Sequence, residues 1–386
     1  MSYIYLDNAA TTFPKPRRVL DEVNRCIRTY CGNSGRSAHP LAIASSEKIF
    51  ECRQLLSDFF SFDKPENVVF TSNTTYALNM AIKGVTRRGD HILISDMEHN
   101  SVFRPVALLA KAGLIEYDIF PTLKNGKQLS AEEICRSIIS LIRPGKTRVL
   151  ICSHIPNIVS TVRPIELIGD ICRRNGLIFI LDAAQSAGHI PIDIKASKID
   201  ILCAPGHKAL FGIQGCGFMI LGDECPSLST LIEGGNGFNS LETSLPEDSP
   251  ERFESGTLPT PSIAGLCEGI KFINEIGYDD IRKRENILFN RLANALTSKS
   301  IGAEIYVSDA PGSVLLFNIP DRSPDELGSY LSKQNICLRS GFHCAALGHK
   351  LLKTDESGAL RASFSVFNSP NDIDALYKAI VDFKKT

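Results

Sequence analysis

The feature that most restricts the fold of this chain is a regular alternation of two kinds of segment. Short runs rich in Ile, Val and Leu lie at 68–70, 92–94, 149–152, 177–181, 199–203 and 217–221. Between most of them lie helix-length segments, at 75–83, 102–112, 131–142 and 165–174, whose apolar residues recur at three- and four-residue spacing. Runs that are apolar throughout belong to strands covered on both faces. The pattern predicts an α/β fold, a mostly parallel, doubly wound sheet whose ligands sit at the carboxyl ends of its strands. From 233 to 261, Gly234, Gly235, Gly237, Pro246, Pro250 and Pro259 interrupt any period, and this reads as a long, exposed, functional loop. Helical segments at 263–276 and 278–296 follow, then strand and helix patterns through 313–318, 325–334 and 372–384. The expected division is a large domain at 14–260 and a smaller α+β domain made of 1–13 and 261–386.

Composition narrows the function classes. With 386 residues, 43% of them hydrophobic, the chain can bury a large core. Its formal charge of -1 comes from interspersed acids and bases, so no basic field exists to hold nucleic acid or an anionic membrane surface. Residues 1–7 run straight into a strand-like segment without a leader pattern, and no apolar run reaches membrane-spanning length, so a soluble cytoplasmic protein is expected. The 12 cysteines lack the paired spacing of zinc or redox sites, and most are expected to be buried small hydrophobes in a reducing compartment. No metal site is expected.

Chemistry-bearing residues cluster where the predicted strands end. The run at 177–181 leads into Asp182-Ala183-Ala184-Gln185, and the run at 199–203 leads into Ala204-Pro205-Gly206-His207-Lys208. An acid and a lysine on one sheet edge suit pyridoxal phosphate, whose aldehyde condenses with an amine and whose ring nitrogen is kept protonated by a buried carboxylate. By themselves the two also fit a solvated surface. Ser72-Asn73-Thr74-Thr75, between a strand and a helix, is either a phosphate site or a plain helix cap. His99, after the run at 92–94, is either a ring for stacking on a cofactor or a satisfied polar residue. Asn157 is either a donor to a ring hydroxyl or a turn residue.

Taken together, the order and spacing of these motifs, from Tyr5-Leu6-Asp7-Asn8-Ala9-Ala10-Thr11 through Glu98-His99-Asn100, Ser153-His154-Ile155-Pro156-Asn157, Gly206-His207-Lys208 and Phe253-Glu254-Ser255-Gly256-Thr257 to Arg339-Ser340-Gly341-Phe342-His343-Cys344-Ala345 and Arg361-Ala362-Ser363, span nearly the whole chain. In them the chain resembles the class V, fold-type I pyridoxal-phosphate enzymes, specifically the cysteine desulfurase and selenocysteine lyase family. The resemblance implies Lys208 as the Schiff-base lysine, Asp182 as partner of the ring nitrogen and His99 as the stacking residue. It implies Gln185 and Asn157 at the ring oxygen, and Thr75, His207 and the backbone of Thr74 at the phosphate. Thr257 would reach the phosphate of a neighbouring subunit, which implies a homodimer. Arg361 would grip the substrate carboxylate, a role suited to its bidentate fork, with Arg339 beside it.

Cys344 lies in a Gly-containing loop beside Arg339 and His343, where positive charge would favour a thiolate. The resemblance makes it a sulfur acceptor in the branch with a compact catalytic loop. The implied reaction converts L-cysteine to L-alanine, leaving a persulfide on Cys344 that passes to an acceptor protein or reductant. Alternatives are a selenocysteine lyase, an aminotransferase or β-lyase giving a keto acid or pyruvate, and a non-enzymatic sulfur carrier or scaffold. Three positions depart from the family pattern: Pro205 replaces a serine that would add a phosphate contact, Gly212-Ile213-Gln214-Gly215 replaces Gly-Pro-x-Gly, and Ser160 stands where glycine is usual.

Overall fold

A computed structural model describes residues 3–385 apart from 36–37, 236, 238–240, 242 and 308. Parts of the predicted 233–261 loop and both chain ends therefore lie outside the described residues. The chain runs through β1 (Ile4–Tyr5), α1 (Arg17–Thr29), α2 (Pro40–Phe59), β2 (Val68–Thr71), α3 (Thr74–Val85), β3 (His91–Ser95), α4 (Asn100–Lys111) and β4 (Glu116–Phe120). A small hairpin, β5 (Leu123–Lys124) and β6 (Lys127–Gln128), precedes α5 (Ala131–Leu141), β7 (Thr147–Ser153), α6 (Ile165–Asn175), β8 (Ile178–Asp182), β9 (Ile201–Pro205) and β10 (Gly217–Leu221). The remainder is α7 (Thr260–Ile276), α8 (Tyr278–Leu296), β11 (Glu304–Tyr306), β12 (Val314–Asn318), α9 (Pro324–Lys333), β13 (Ile336–Cys337), β14 (Arg339–Gly341), α10 (Ala346–Leu351), β15 (Ala359–Ser363) and α11 (Pro370–Lys384).

The main sheet has seven strands in the order β2-β10-β9-β8-β7-β3-β4. All pairs are parallel except those of β10, which runs antiparallel to both β2 and β9. Alternate residues of each strand enter opposite cores, as the period of a pleated strand requires. Leu93, Leu150, Phe179, Leu181 and Leu202 pack with α2, α5, α6 and α7, whereas Ile92, Ile94, Ile151, Ile180 and Ile201 pack beneath α3 and α4. This two-sided burial is why the strands read as unbroken apolar runs.

A second sheet, β11-β12-β15-β14, is antiparallel and packs against α8, α9 and α11 through Leu288, Phe289, Leu315, Phe317, Leu327, Leu360 and Ile380. The first strand joins it from the other end of the chain: β1 pairs with β13, and Leu6 enters the same core. The helices after residue 260 divide between the two cores. In α7, Ile263, Leu266, Cys267, Ile270 and Ile273 belong to the core of the large sheet, because α7 lies along α1 and α2. The change of core falls within α8, between Ile281 and Leu288.

Candidate active site

Five successive chain segments deliver polar side chains to one cleft at the carboxyl edge of the parallel strands. Asp182 ends β8, His207 and Lys208 follow β9, Asn157 follows β7, His99 precedes α4, and Thr74 and Thr75 open α3. All of these residues, with Asn73 and Gln185, line the same cleft. The turn at 72–75 resolves into two roles. Asn73 caps α3 by accepting from the Tyr76 amide at 3.0 Å, while Thr74 Oγ1 is buried without a partner. The first amides of α3 also lack intrahelical acceptors, and the helix dipole adds partial positive charge there. Gly217 permits this arrangement, since a Cβ there would lie 2.6 Å from the Asn73 carbonyl carbon and 2.8 Å from the Thr74 nitrogen.

Burial sets the charge states. The Lys208 amine has no hydrogen-bond partner among the described residues, and burial lowers its pKa to about 8 against the opposing pull of Asp182. Asp182 accepts from the Ala184 amide at 2.9 Å, and burial raises its pKa while Lys208 and that amide lower it. His99 accepts from the Ser101 amide through Nδ1 at 3.1 Å, which leaves the proton on Nε2. Burial first, then Lys208 and nearby arginines, lowers its pKa to about 4, so the ring is neutral. His207 is likewise lowered to about 4 by burial and by Lys208 and Lys15.

The other expected site residues also carry contacts within the protein. Asn157 donates one N–H of its amide to the His343 carbonyl at 2.5 Å, which leaves its second N–H and an unpartnered Oδ1. Gln185 donates to the Ala9 carbonyl at 2.9 Å. Arg361 is almost wholly buried in β15, directly across from Arg339 in β14. Its Nη2 pairs with Asp7 at 2.7 Å and its Nη1 donates to the Asn157 carbonyl at 3.0 Å, which leaves the Nε proton and a second proton on each Nη outside these bonds. Thr257 does not line the Lys208 cleft and lies instead in a separate pocket with Ser72, Tyr76 and Glu254.

Cys344 is exposed and lines a groove with Arg104, Asn79 and Lys83. That groove shares Thr75, His99 and Ser101 with the Lys208 cleft. The Cys344 carbonyl accepts from the Asn100 amide at 2.8 Å, which ties the loop to the start of α4. His343 and Cys344 both hold left-handed backbone, with φ of 51° and 56°. His343 does not supply the expected positive charge. Its ring turns inward, stacks on His349 and meets the Arg339 carbonyl at 3.2 Å, and burial pushes its pKa down to about 2.

Residues given no role in the sequence reading also shape the site. Glu98 is fully buried, accepting from Ser95 and from the Ser153 amide and hydroxyl at 2.8 and 2.7 Å, and burial raises its pKa to about 7. Thr11, Thr12 and Lys15 contact the backbone that carries Lys208. The motif Glu98-His99 and the N-terminal Tyr5–Thr11 segment were visible as patterns, but no local signal reveals their contacts.

The donor set fits pyridoxal phosphate. Lys208 offers an unengaged buried amine, Asp182 a buried carboxylate with one oxygen outside any protein hydrogen bond, and Thr74 Oγ1 an orphaned hydroxyl at a helix N-terminus. The model for the aminotransferase class-V family matches residues 4–376. A probable cysteine desulfurase of Pyrococcus abyssi is 31% identical over 393 residues, covering 99% of this chain and 94% of its own length. One of Methanothermobacter thermautotrophicus is 32% identical over 390 residues, covering 97% and 93%. Among solved structures, the apo cysteine desulfurase of Thermococcus onnurineus superposes with a TM-score of 0.88 at 28% identity, covering 99% of this chain and 95% of that one. A cysteine desulfurase of Escherichia coli gives 0.87 at 22% identity, covering 99% and 95%, a likeness of fold.

Proposed function

This chain belongs to the class V aminotransferase family, and within it we propose a pyridoxal-phosphate-dependent cysteine desulfurase that converts L-cysteine to L-alanine and takes the sulfur onto Cys344. The observation that carries this reading is the exposed Cys344 in a groove that shares Thr75, His99 and Ser101 with the cleft of the unengaged Lys208. When bound, pyridoxal phosphate supplies an aldehyde for an amine and a protonated ring that draws electrons from the substrate α-carbon. Lys208 is the residue to hold the aldehyde, Asp182 the ring nitrogen, and Thr74, Thr75 and His207 the phosphate. The neutral His99 offers a flat ring without adding charge.

Lys208 Nζ, depressed to about 8, has an unprotonated fraction near neutral pH and takes the substrate α-proton as general base. Cys344 Sγ, as thiolate, then bonds to the substrate sulfur. The carbon–sulfur bond breaks with its electron pair on the carbon side, and protonation there together with return of a proton to the α-carbon from Lys208 gives alanine and a Cys344 persulfide. The exposed Cys344 leaves the terminal sulfur open to an acceptor thiol. Thr257, set apart from its own Lys208 cleft, supports a homodimer in which it serves the partner's phosphate. The 12 free cysteines support a reducing, cytoplasmic setting.

A product assay tests the reading: the loaded protein is given L-cysteine or L-selenocysteine with a reductant, and alanine is quantified against pyruvate. Alanine from cysteine, lost in Cys344→Ala, is expected. Full-rate alanine from Cys344→Ala removes Cys344 as the sulfur acceptor, pyruvate replaces the reaction with β-elimination, and alanine from selenocysteine alone makes the protein a selenocysteine lyase.

A further inference from the structure

The turn that carries Lys208 is held both by its own backbone, where the Phe211 amide donates to the Lys208 carbonyl at 2.8 Å, and by the N-terminal segment. The His207 carbonyl receives Lys15 Nζ at 2.6 Å, Thr11 Oγ1 at 3.1 Å, and the Thr12 amide and hydroxyl at 3.3 Å each. The single Thr12 hydroxyl proton is nearer the Lys208 carbonyl, at 2.9 Å, and Thr12 Oγ1 accepts from Lys15 at 2.7 Å. A carbonyl oxygen has two lone pairs, so the shortest donor, Lys15, leads this cluster, most strongly in its ammonium form. Lys15 makes no ion pair among the described residues, and burial lowers its pKa to about 7. An ammonium desolvated without a carboxylate is costly, and an apolar side chain would cover the same surface without that cost. The charge therefore has a local use, and the group it touches is the peptide between His207 and Lys208.

Building on the pyridoxal-phosphate reading above, we propose that Lys15 is a positioning residue for Lys208: its hydrogen bond to the His207 carbonyl helps fix the turn that aims the reactive amine into the cleft. Lys208 Nζ has no side-chain partner of its own, so its placement depends on this backbone. Lys15 touches neither substrate nor cofactor in this role.

The experiment compares full-length wild type, Lys15→Met and Lys15→Arg, each stripped of cofactor and then given pyridoxal phosphate. Uptake is followed by the visible absorbance band, the pH midpoint of that band is titrated, and melting temperature is recorded. Lys15→Met is expected to load about tenfold more slowly, the loss of one hydrogen bond, and to move the midpoint by about half a pH unit or more, with Lys15→Arg recovering most of both. Wild-type rate and midpoint in Lys15→Met overturn the proposal, as does a lowered melting temperature with an unmoved midpoint, which marks a merely structural tie. If Lys15→Met does not fold, Thr12→Val, which removes the contact to the Lys208 carbonyl, must move the midpoint, and an unmoved midpoint there overturns the proposal too. Failure of the wild type to take up the cofactor overturns the functional reading itself, whereas normal wild-type loading with an indifferent Lys15→Met overturns only the role of Lys15.

Discussion

A lysine acts as a base near neutral pH only if its ammonium form is disfavoured, and at Lys208 burial does this while Asp182 opposes it. Amine-directed labelling of Lys208 in the cofactor-free protein should therefore rise with pH through a midpoint near 8. Asp182→Asn removes the charge that favours the ammonium and should move the midpoint lower; a higher midpoint would contradict the assigned electrostatics. Glu98 carries the opposite sign. Its folded pKa, raised to about 7, lies above the ordinary carboxyl value, so its contribution to stability is present at low pH and is lost as pH rises from about 4.5 through 7. Glu98→Gln should consequently gain on wild type by roughly 2–3 kcal/mol across that window in denaturant titrations, and parallel curves would disprove the shift. At this scale, Lys208 and Asp182 were legible because each follows an apolar run. The inward turn of His343 and the Asp7 clamp on Arg361 were not, since both depend on contacts between residues far apart in the chain.

Elements were legible where their surroundings were uniform. Each strand of the large sheet named from sequence lies within two residues of its reading, because both faces are covered and the run is apolar throughout. The first two helices were not read from the sequence; in α2 the exposed Leu41, Ile43 and Phe50 blur the helical stripe, whereas α1 is strongly amphipathic. The start of α3 shows how an element makes a site. Asn73→Ala removes the cap and should cost about 1 kcal/mol with the cofactor retained. Gly217→Ala drives a Cβ into the Asn73–Thr74 backbone, so it should both destabilise the fold, by about 1–3 kcal/mol, and weaken retention of the phosphate-bearing cofactor. Thermal melts paired with dialysis separate the two, and a Gly217→Ala protein that holds its cofactor like wild type would show that the helix start tolerates displacement.

For the whole molecule, the sequence pattern conveyed two units and their order but not the contacts that join them. Asp182, Lys208 and the phosphate end of α3 belong to the large sheet, whereas Cys344 follows β14 in the small one, so sulfur transfer requires the two sheets to keep register. Ser160, from the segment after β7, makes one such contact: its hydroxyl accepts from the Val314 amide at 3.0 Å and donates to the Val314 carbonyl at 2.9 Å at the start of β12. Gly312 makes room for it, since a Cβ there would lie 2.7 Å from Ser160 Cβ. In sequence Ser160 stood out only as a serine where the resemblance has glycine, and its partner lies too far along the chain for any local pattern to reveal. From Val314 the path to the catalytic loop is short, because β12 pairs with β15 and β15 with β14. Ser160→Ala leaves a buried amide and carbonyl without these partners and should cost about 1–3 kcal/mol in denaturant unfolding. Cofactor uptake, which draws on large-sheet residues, should stay at the wild-type rate, while persulfide formation on Cys344 falls severalfold. Equal persulfide yield in a destabilised Ser160→Ala protein would mean that the catalytic loop keeps its place through its own tie to Asn100, independently of the junction between the sheets.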